Sequence, residues 1–370
     1  MEAREVDLRG WVLVGVTTTK IYCVPGCAGR PKRQNVRSFE STAAARAAGL
    51  RACKRCRPDE AMGEAILVDL DYRTPLDVGE LLGFFARRAV PGVEELDGEV
   101  YRRSLRLPHG FGVAELRSLG DGLVARLWLD DASDRDAAVV RVRALLDLDM
   151  EPDRVVDALG GDELLGPLVH AAPGRRLPGA VDAHEIAFRA VLGQQVSLAG
   201  AATVAGRLVA AYGEPLANPV GAVTHAFPSA DALAAADASA WPMPGARRRA
   251  LQGLAAALAS GALALDAGAG DAGSARARRA PAGVTPSAHA DRRGVEHRLL
   301  ALPGIGPWTA GYIAMRALHD TDAFLATDLG VRHALDRLGR DSRPAAAEQL
   351  SQAWRPYRAY ALQHLWAAAS

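Results

Sequence analysis

The run Leu302-Pro303-Gly304-Ile305-Gly306-Pro307 constrains this chain more than any other stretch. Its two glycines permit a sharp reversal and a close approach of backbone to ligand, which a β-carbon would block. Pro307 suits a first helical position, where the N–H it lacks would have had no helical acceptor. The run therefore predicts a helix over Val295 to Ala301, a tight turn, and a second helix over Pro307 to Leu318 with free amides at its start. Such a terminus favours anions, phosphate above all. Taken alone, the same residues also describe an ordinary turn between helices.

Asp328 adds chemistry to the turn. It follows Gly306 by 22 residues, behind the apolar pair Phe324-Leu325, with Thr327 expected to cap the next helix. An acid at a helix start is also a common capping device. Hairpin and acid at this spacing resemble the helix-hairpin-helix DNA glycosylase superfamily, and in particular the inducible, AlkA-type 3-methyladenine DNA glycosylases. The resemblance implies that Asp328 is catalytic and that Gly304, Ile305 and Gly306 clamp a DNA strand, with a monovalent cation on the hairpin carbonyls as a candidate cofactor. Breaking an N-glycosidic bond builds positive charge on the sugar, which a fixed carboxylate stabilises. A cationic base such as 3-methyladenine or 7-methylguanine leaves neutral, so a single carboxylate suffices. The base must first leave the stack.

A pocket for electron-poor bases is best walled by aromatic faces. Trp308 and Tyr312 stand four apart and share a helix face. The C-terminal run from Trp354 through Tyr357 and Tyr360 to Trp366 resembles the terminal helices of the family, in which a tryptophan matching Trp366 lines the base pocket. Core packing is the alternative for each of these rings. Earlier, Gly193-Gln194-Gln195-Val196-Ser197 breaks two helices, with Ser197 capping the second. Gln195 matches the family's wedge, which fills the gap left by a flipped base. Its polarity leaves a plain inter-helix turn equally open. Bifunctional members carry a lysine two positions after the second glycine; Trp308 stands there, so hydrolysis without strand cleavage is expected.

All four cysteines fall in one short stretch, as Cys23-x3-Cys27 and Cys53-x2-Cys56. In a reducing compartment this reads as a tetrahedral zinc site, with two disulfides as the alternative. Arg30, Lys32, Arg33, Arg37, Arg46, Arg51, Lys54, Arg55 and Arg57 surround the pairs, inviting phosphate contacts. The segments around Cys23 and Cys56 resemble the zinc domain of the Ada-type methylphosphotriester repair proteins. That resemblance implies a zinc-bound thiolate at Cys23 as methyl acceptor. Lys20 departs from the glycine usual at its position, and the stretch from Asp59 to Thr74 is too short for the AraC-type helix-turn-helix that follows in that family.

The fold expected is multidomain α+β. A four-cysteine zinc domain spans residues 1–58, a linker 59–74, an α+β domain 75–150 and an all-helical glycosylase domain 151–370. Within the second domain, a helix over Asp77 to Ala89, strands over Val100 to Leu107, Phe111 to Leu119 and Leu123 to Leu129, and a helix over Arg135 to Leu148 follow from hydrophobic spacing. No reactive groups converge there, so a scaffolding role is expected. In the third domain, Asp182-x-x-Glu185 reads as a capping box, Trp241 to Ser260 as a helix pair led by Arg247 to Arg249, and 267–293 as a low-complexity loop. The N-terminus has no apolar signal core and no run is long enough to span a bilayer, so a cytoplasmic monomer acting on damaged double-stranded DNA, without a nucleotide cofactor, is expected. A net charge of +1 says little about DNA, since a basic face can hide in a balanced total. A non-catalytic damage-binding module and an alkylation-responsive regulator are the competing functions.

Overall fold

The computed structural model describes residues 13–23, 27, 31–39, 41–59, 65–119, 122–265 and 294–369. The low-complexity stretch expected over 267–293 lies outside the described residues. Strands β1 (Leu13–Val16), β2 (Ile21–Cys23), β3 (Val36–Phe39) and β4 (Arg51–Ala52) form a small sheet in the order β3-β1-β2-β4. Helix α1 (Thr42–Ala47), capped by Ser41, joins β3 to β4. The core of this lobe is small, with Leu13, Tyr22, Ala45 and Leu50 buried at its centre.

The central layer is a five-stranded antiparallel sheet ordered β5-β9-β8-β7-β6, from β5 (Ile66–Asp69), β6 (Glu94–Asp97), β7 (Val100–Leu107), β8 (Gly110–Leu119) and β9 (Gly122–Leu129). The expected strands are present, and two more flank them. β5 corrects the reading of 59–74 as a plain linker, because Ile66 to Asp69 pair in register with Leu127 to Val124 of β9. Helices α2 (Val78–Ala86) and α3 (Arg135–Leu146) cover one face, where Leu81, Phe85, Val142 and Leu145 meet Tyr101, Leu105, Ala125 and Leu127. Alternation in β9 thus sends Leu123, Ala125 and Leu127 inward, while Arg126 on the other face pairs with Glu115 and stacks on Trp128.

Helices dominate after residue 151: α4 (Pro152–Leu159), α5 (Gly166–Ala171), α6 (Ala183–Leu192) and α7 (Leu198–Tyr212) come first. A hairpin of β10 (Glu214–Val220) and β11 (Val223–Ala226) then interrupts the expected all-helical domain. Leu216, Val223 and Ala226 pack on Val113, so the hairpin covers the free face of the central sheet. Next are α8 (Ala230–Ala235), α9 (Gly245–Ala259), α10 (residues 294–300), α11 (Pro307–Ala317), α12 (Leu329–Arg337), α13 (Pro344–Ser351) and α14 (Arg358–Ala369). Trp241 to Ser260 holds one long helix after a short 3-10 turn, rather than a helix pair. Arg248 bonds to the carbonyls of Met243 and Ser239, and Arg247 to that of Gln194, so two of the three arginines brace the fold.

Two cores meet at α11. Ala310 and Ile313 pack with Phe188, Leu251 and Leu299, while Met315 faces Val331, Leu335 and Leu362. The helix therefore stands at the seam between them, with a cleft along one side. No described helix is long and apolar enough to cross a membrane.

Candidate active site

The turn before α11 takes the expected form for reasons visible at each glycine. Gly304 adopts φ +85°, and a β-carbon there would lie 2.7 Å from Cβ of Ala250 on α9. Gly306 caps α11 in extended backbone, and among the described residues nothing lies within 4 Å of where its β-carbon would be. Pro307 is the first helical residue, and the amides of Trp308 and Thr309 come too early for a helical acceptor. Ile305 is different. Its side chain is buried in the helical core and its amide donates to the Leu302 carbonyl at 3.1 Å, so it holds the turn together rather than offering a side chain to a ligand.

Asp328 is itself the N-cap of α12, in place of Thr327, and its Oδ1 accepts from the Val331 amide at 3.1 Å. It is not sealed inside. The carboxylate is half-buried at the cleft wall, where Trp308 Nε1 donates to Oδ2 at 2.9 Å and Trp366 Nε1 donates to Oδ1 at 2.8 Å. Three N–H donors from three elements fix its orientation. Gly330 makes this possible, because a β-carbon there would sit 2.9 Å from Cδ1 of Trp366. Trp308 and Tyr312 stack with centroids 5.1 Å apart and planes at 14°. Trp354 and Tyr360 instead belong to the core, bonded to Asp162 and Asp147.

Gln195 sits at the tip of the turn between α6 and α7, exposed and at φ +54°, with Ser197 capping α7 as expected. Its neighbour Gln194 went unrecognised in the sequence. The Gln194 side-chain amide donates to the Gly304 carbonyl at 3.0 Å and to Thr309 Oγ1 at 2.9 Å, tying this turn to the hairpin. A cleft of about 1340 Å³ brings together Gln195, Gly304, Gly306, Trp308, Tyr312, Asp328 and Trp366.

The central layer also reaches this cleft, contrary to its expected scaffolding role. Phe85 of α2 and Arg88 just beyond its end line it, as does a buried ionic square behind them. Arg103 pairs with Glu94 and Glu185 at 3.0 and 2.8 Å; Arg189 pairs with the same two at 2.9 and 2.8 Å. Glu185 thus turns to these arginines and does not close the expected capping box, although Asp182 does cap α6. Burial alone would raise the Glu94 carboxyl, but Arg189 and Arg103 bring it below its ordinary value. Sequence spacing cannot reveal such a group, since its members come from β6, β7 and α6.

The four cysteine sulfurs lie within 4.8 Å of one another, grouped closely enough to share a single metal ion. Four thiols so crowded cannot all ionise without a cation. Burial, the Cys53 hydrogen bond and the other sulfurs push the Cys23 thiol up, while hydrogen bonds from the Cys56 and Arg55 backbone draw Cys53 down to about 7. The donor set fits zinc held by Cys23, Cys27, Cys53 and Cys56. Arg46, one of the basic residues of the lobe, is paired to Asp59 at 2.8 Å and bonded to Tyr22.

Comparison with known proteins agrees with this geometry. Residues 67–182 match the family model of the AlkA N-terminal domain, and residues 1–59 that of the metal binding domain of Ada. The chain is 34% identical to a probable bifunctional transcriptional activator/DNA repair enzyme AlkA of Mycobacterium tuberculosis, over 99% of this chain and 94% of the relative. It is 33% identical to DNA-3-methyladenine glycosylase 2 of Escherichia coli, over 80% of this chain and 95% of that one. A 3-methyladenine DNA glycosylase structure from Archaeoglobus fulgidus superposes with a TM-score of 0.63 at 18% identity, covering 81% of this chain and 96% of that one. Cleft, hairpin and relatives together lead to one assignment: this chain belongs to the AlkA family of DNA-3-methyladenine glycosylases, with an Ada-type zinc-binding domain at its N-terminal side.

Proposed function

We propose that this enzyme hydrolyses the N-glycosidic bond of cationic alkylated purines, 3-methyladenine and 7-methylguanine, in duplex DNA. The observation that carries the reading is the Asp328 carboxylate, held by the Trp308 and Trp366 indoles at the wall of an aromatic cleft beside the hairpin. The flipped base stacks on the rings of Trp308, Tyr312 and Trp366. Asp328 then lies beside the sugar, where it stabilises the oxocarbenium-like state and orients the attacking water. Amides at the start of α11 hold the strand through its phosphates, and carbonyls of the turn would hold a monovalent cation, which would add positive charge facing the phosphates. Gln195, at the tip of its turn, fills the gap in the stack.

The reaction ends at an abasic site. Lys20, Lys32 and Lys54 are the only lysines in the chain, and all belong to the zinc domain. No lysine is therefore available in the glycosylase half for a Schiff base. In the zinc domain, metal coordination would keep the Cys23 sulfur as a thiolate at neutral pH. Cys23 then attacks the methyl carbon of a DNA methylphosphotriester; the S–C bond forms as the C–O bond breaks, and the phosphodiester anion departs.

Mass spectrometry of bases freed from methylated duplex DNA tests the main reading. Release of 3-methyladenine and 7-methylguanine, with strand breaks appearing only after alkali, is expected. Duplex binding without base release would favour a damage-binding module, and breaks without alkali would end the hydrolase-only account.

A further inference from the structure

Two guanidinium groups beside the base cleft lack carboxylate partners. The ionic square uses Arg103 and Arg189 against Glu94 and Glu185, two charges against two. Arg88 and Arg316 stand outside it. Among the described residues, neither has an acid within ion-pair distance. Their guanidiniums lie over the same Phe84 ring, at 3.7 and 5.0 Å from its centroid. Arg316 is 4% exposed, donates to the Gly179 carbonyl at 2.9 Å, and leaves a buried Nε without any partner. Unpaired buried charge is destabilising, so its presence at a cleft points to a group that arrives with the ligand.

Tyr312 connects this pair to the cleft. Arg316 Nη1 donates to the Tyr312 hydroxyl oxygen at 2.8 Å, while among the described residues that hydroxyl donates to nothing. With one lone pair engaged, its hydrogen is free to point elsewhere. Burial alone would raise the Tyr312 phenol, but Arg316, Arg88 and Arg189 outweigh it and leave the group more acidic than usual. Burial in turn draws Arg88 down to about 10. The hydroxyl is thus a strengthened hydrogen-bond donor on the wall that stacks the base.

Building on the glycosylase reading, we propose that Tyr312 is a catalytic residue that donates a hydrogen bond to the departing base, with Arg316 as its positioning residue. Its contribution scales with the negative charge the base acquires. In the hydrolysis, the water oxygen bonds to C1′, a water proton passes to solvent by way of Asp328, and the C1′–N electron pair leaves with the base. A cationic alkylpurine becomes neutral and gains little from a donor. An uncharged purine becomes an anion; the Tyr312 hydrogen bond, which Arg316 orients and strengthens, stabilises that anion until solvent protonates it.

Single-turnover base release from two duplexes tests this, one with deoxyinosine as the uncharged case and one with 7-methylguanine as the cationic case. Tyr312→Phe keeps the stacked ring and removes the hydroxyl, both the donor to the base and the acceptor for Arg316. Loss of roughly a hundredfold on deoxyinosine is expected, the range for one oxyanion-hole donor, against less than about threefold on 7-methylguanine. Arg316→Met should skew the substrates in the same sense, and adding it to Tyr312→Phe should produce no further skew. Equal losses on both duplexes, no loss on deoxyinosine, or wild-type activity confined to 7-methylguanine would each overturn the proposal while leaving the glycosylase reading intact. Wild-type enzyme inert on both duplexes would remove the glycosylase reading and this one with it.

Discussion

Asp328 closes its helix and faces the cleft with the same carboxylate, so its position depends on every donor that grips it. Trp366→Phe keeps a smaller aromatic ring in place and deletes one of the three donors. Base release from 7-methylguanine DNA should fall by about tenfold, in proportion to one charge-assisted hydrogen bond, with duplex affinity unchanged. Gly330→Ala should act through the same contact, since its β-carbon would displace the Trp366 indole. The two changes combined should cost little more than either alone, measured as single-turnover rates. Asp328 was legible in the sequence because the hairpin spacing singled it out. The sequence places the cap one residue early, at Thr327, because Thr and Asp are both good caps and only backbone angles separate them.

At the scale of elements, the hairpin and the turn between α6 and α7 are joined by Gln194. Gln194→Leu should leave both turns folded and uncouple them, which is seen as weaker flipping of a fluorescent base analogue with base release reduced in parallel. The ionic square makes a prediction about stability. Arg103→Met strands Glu94 and Glu185 without that partner and should lower stability by about 3–5 kcal/mol in a denaturant titration. Glu94 also sets a pH window. Its folded value lies below the ordinary 4.5, so its contribution is complete above that value and is lost as pH falls through the folded one. Thermal melts between pH 7 and pH 3 should show the decline confined to the acid end. Local pattern revealed β7, β8 and β9 because their alternation is written in consecutive residues. It could not reveal β5 and β6 or the ionic square, whose meaning depends on partners far along the chain. Arg88 and Arg316 escaped for the same reason.

For the whole molecule, expectation and structure part mainly at junctions. Only residues 60–65 separate the described end of the zinc lobe from β5, which leaves no room there for a helix-turn-helix domain. Among the described residues the lobe's core holds only Leu13, Tyr22, Ala45 and Leu50, a core so small that bound metal is expected to supply much of its stability. Chelation should therefore unfold the lobe, visible as lost near-ultraviolet signal from Tyr22, while base release continues at its original rate. The account as a whole rests on Asp328, and single-turnover release of 7-methylguanine by Asp328→Asn, with duplex affinity measured on the same protein, tests it most directly. The account predicts a fall of at least about a hundredfold in rate with affinity held within a few-fold; a rate within tenfold of the wild type would contradict it.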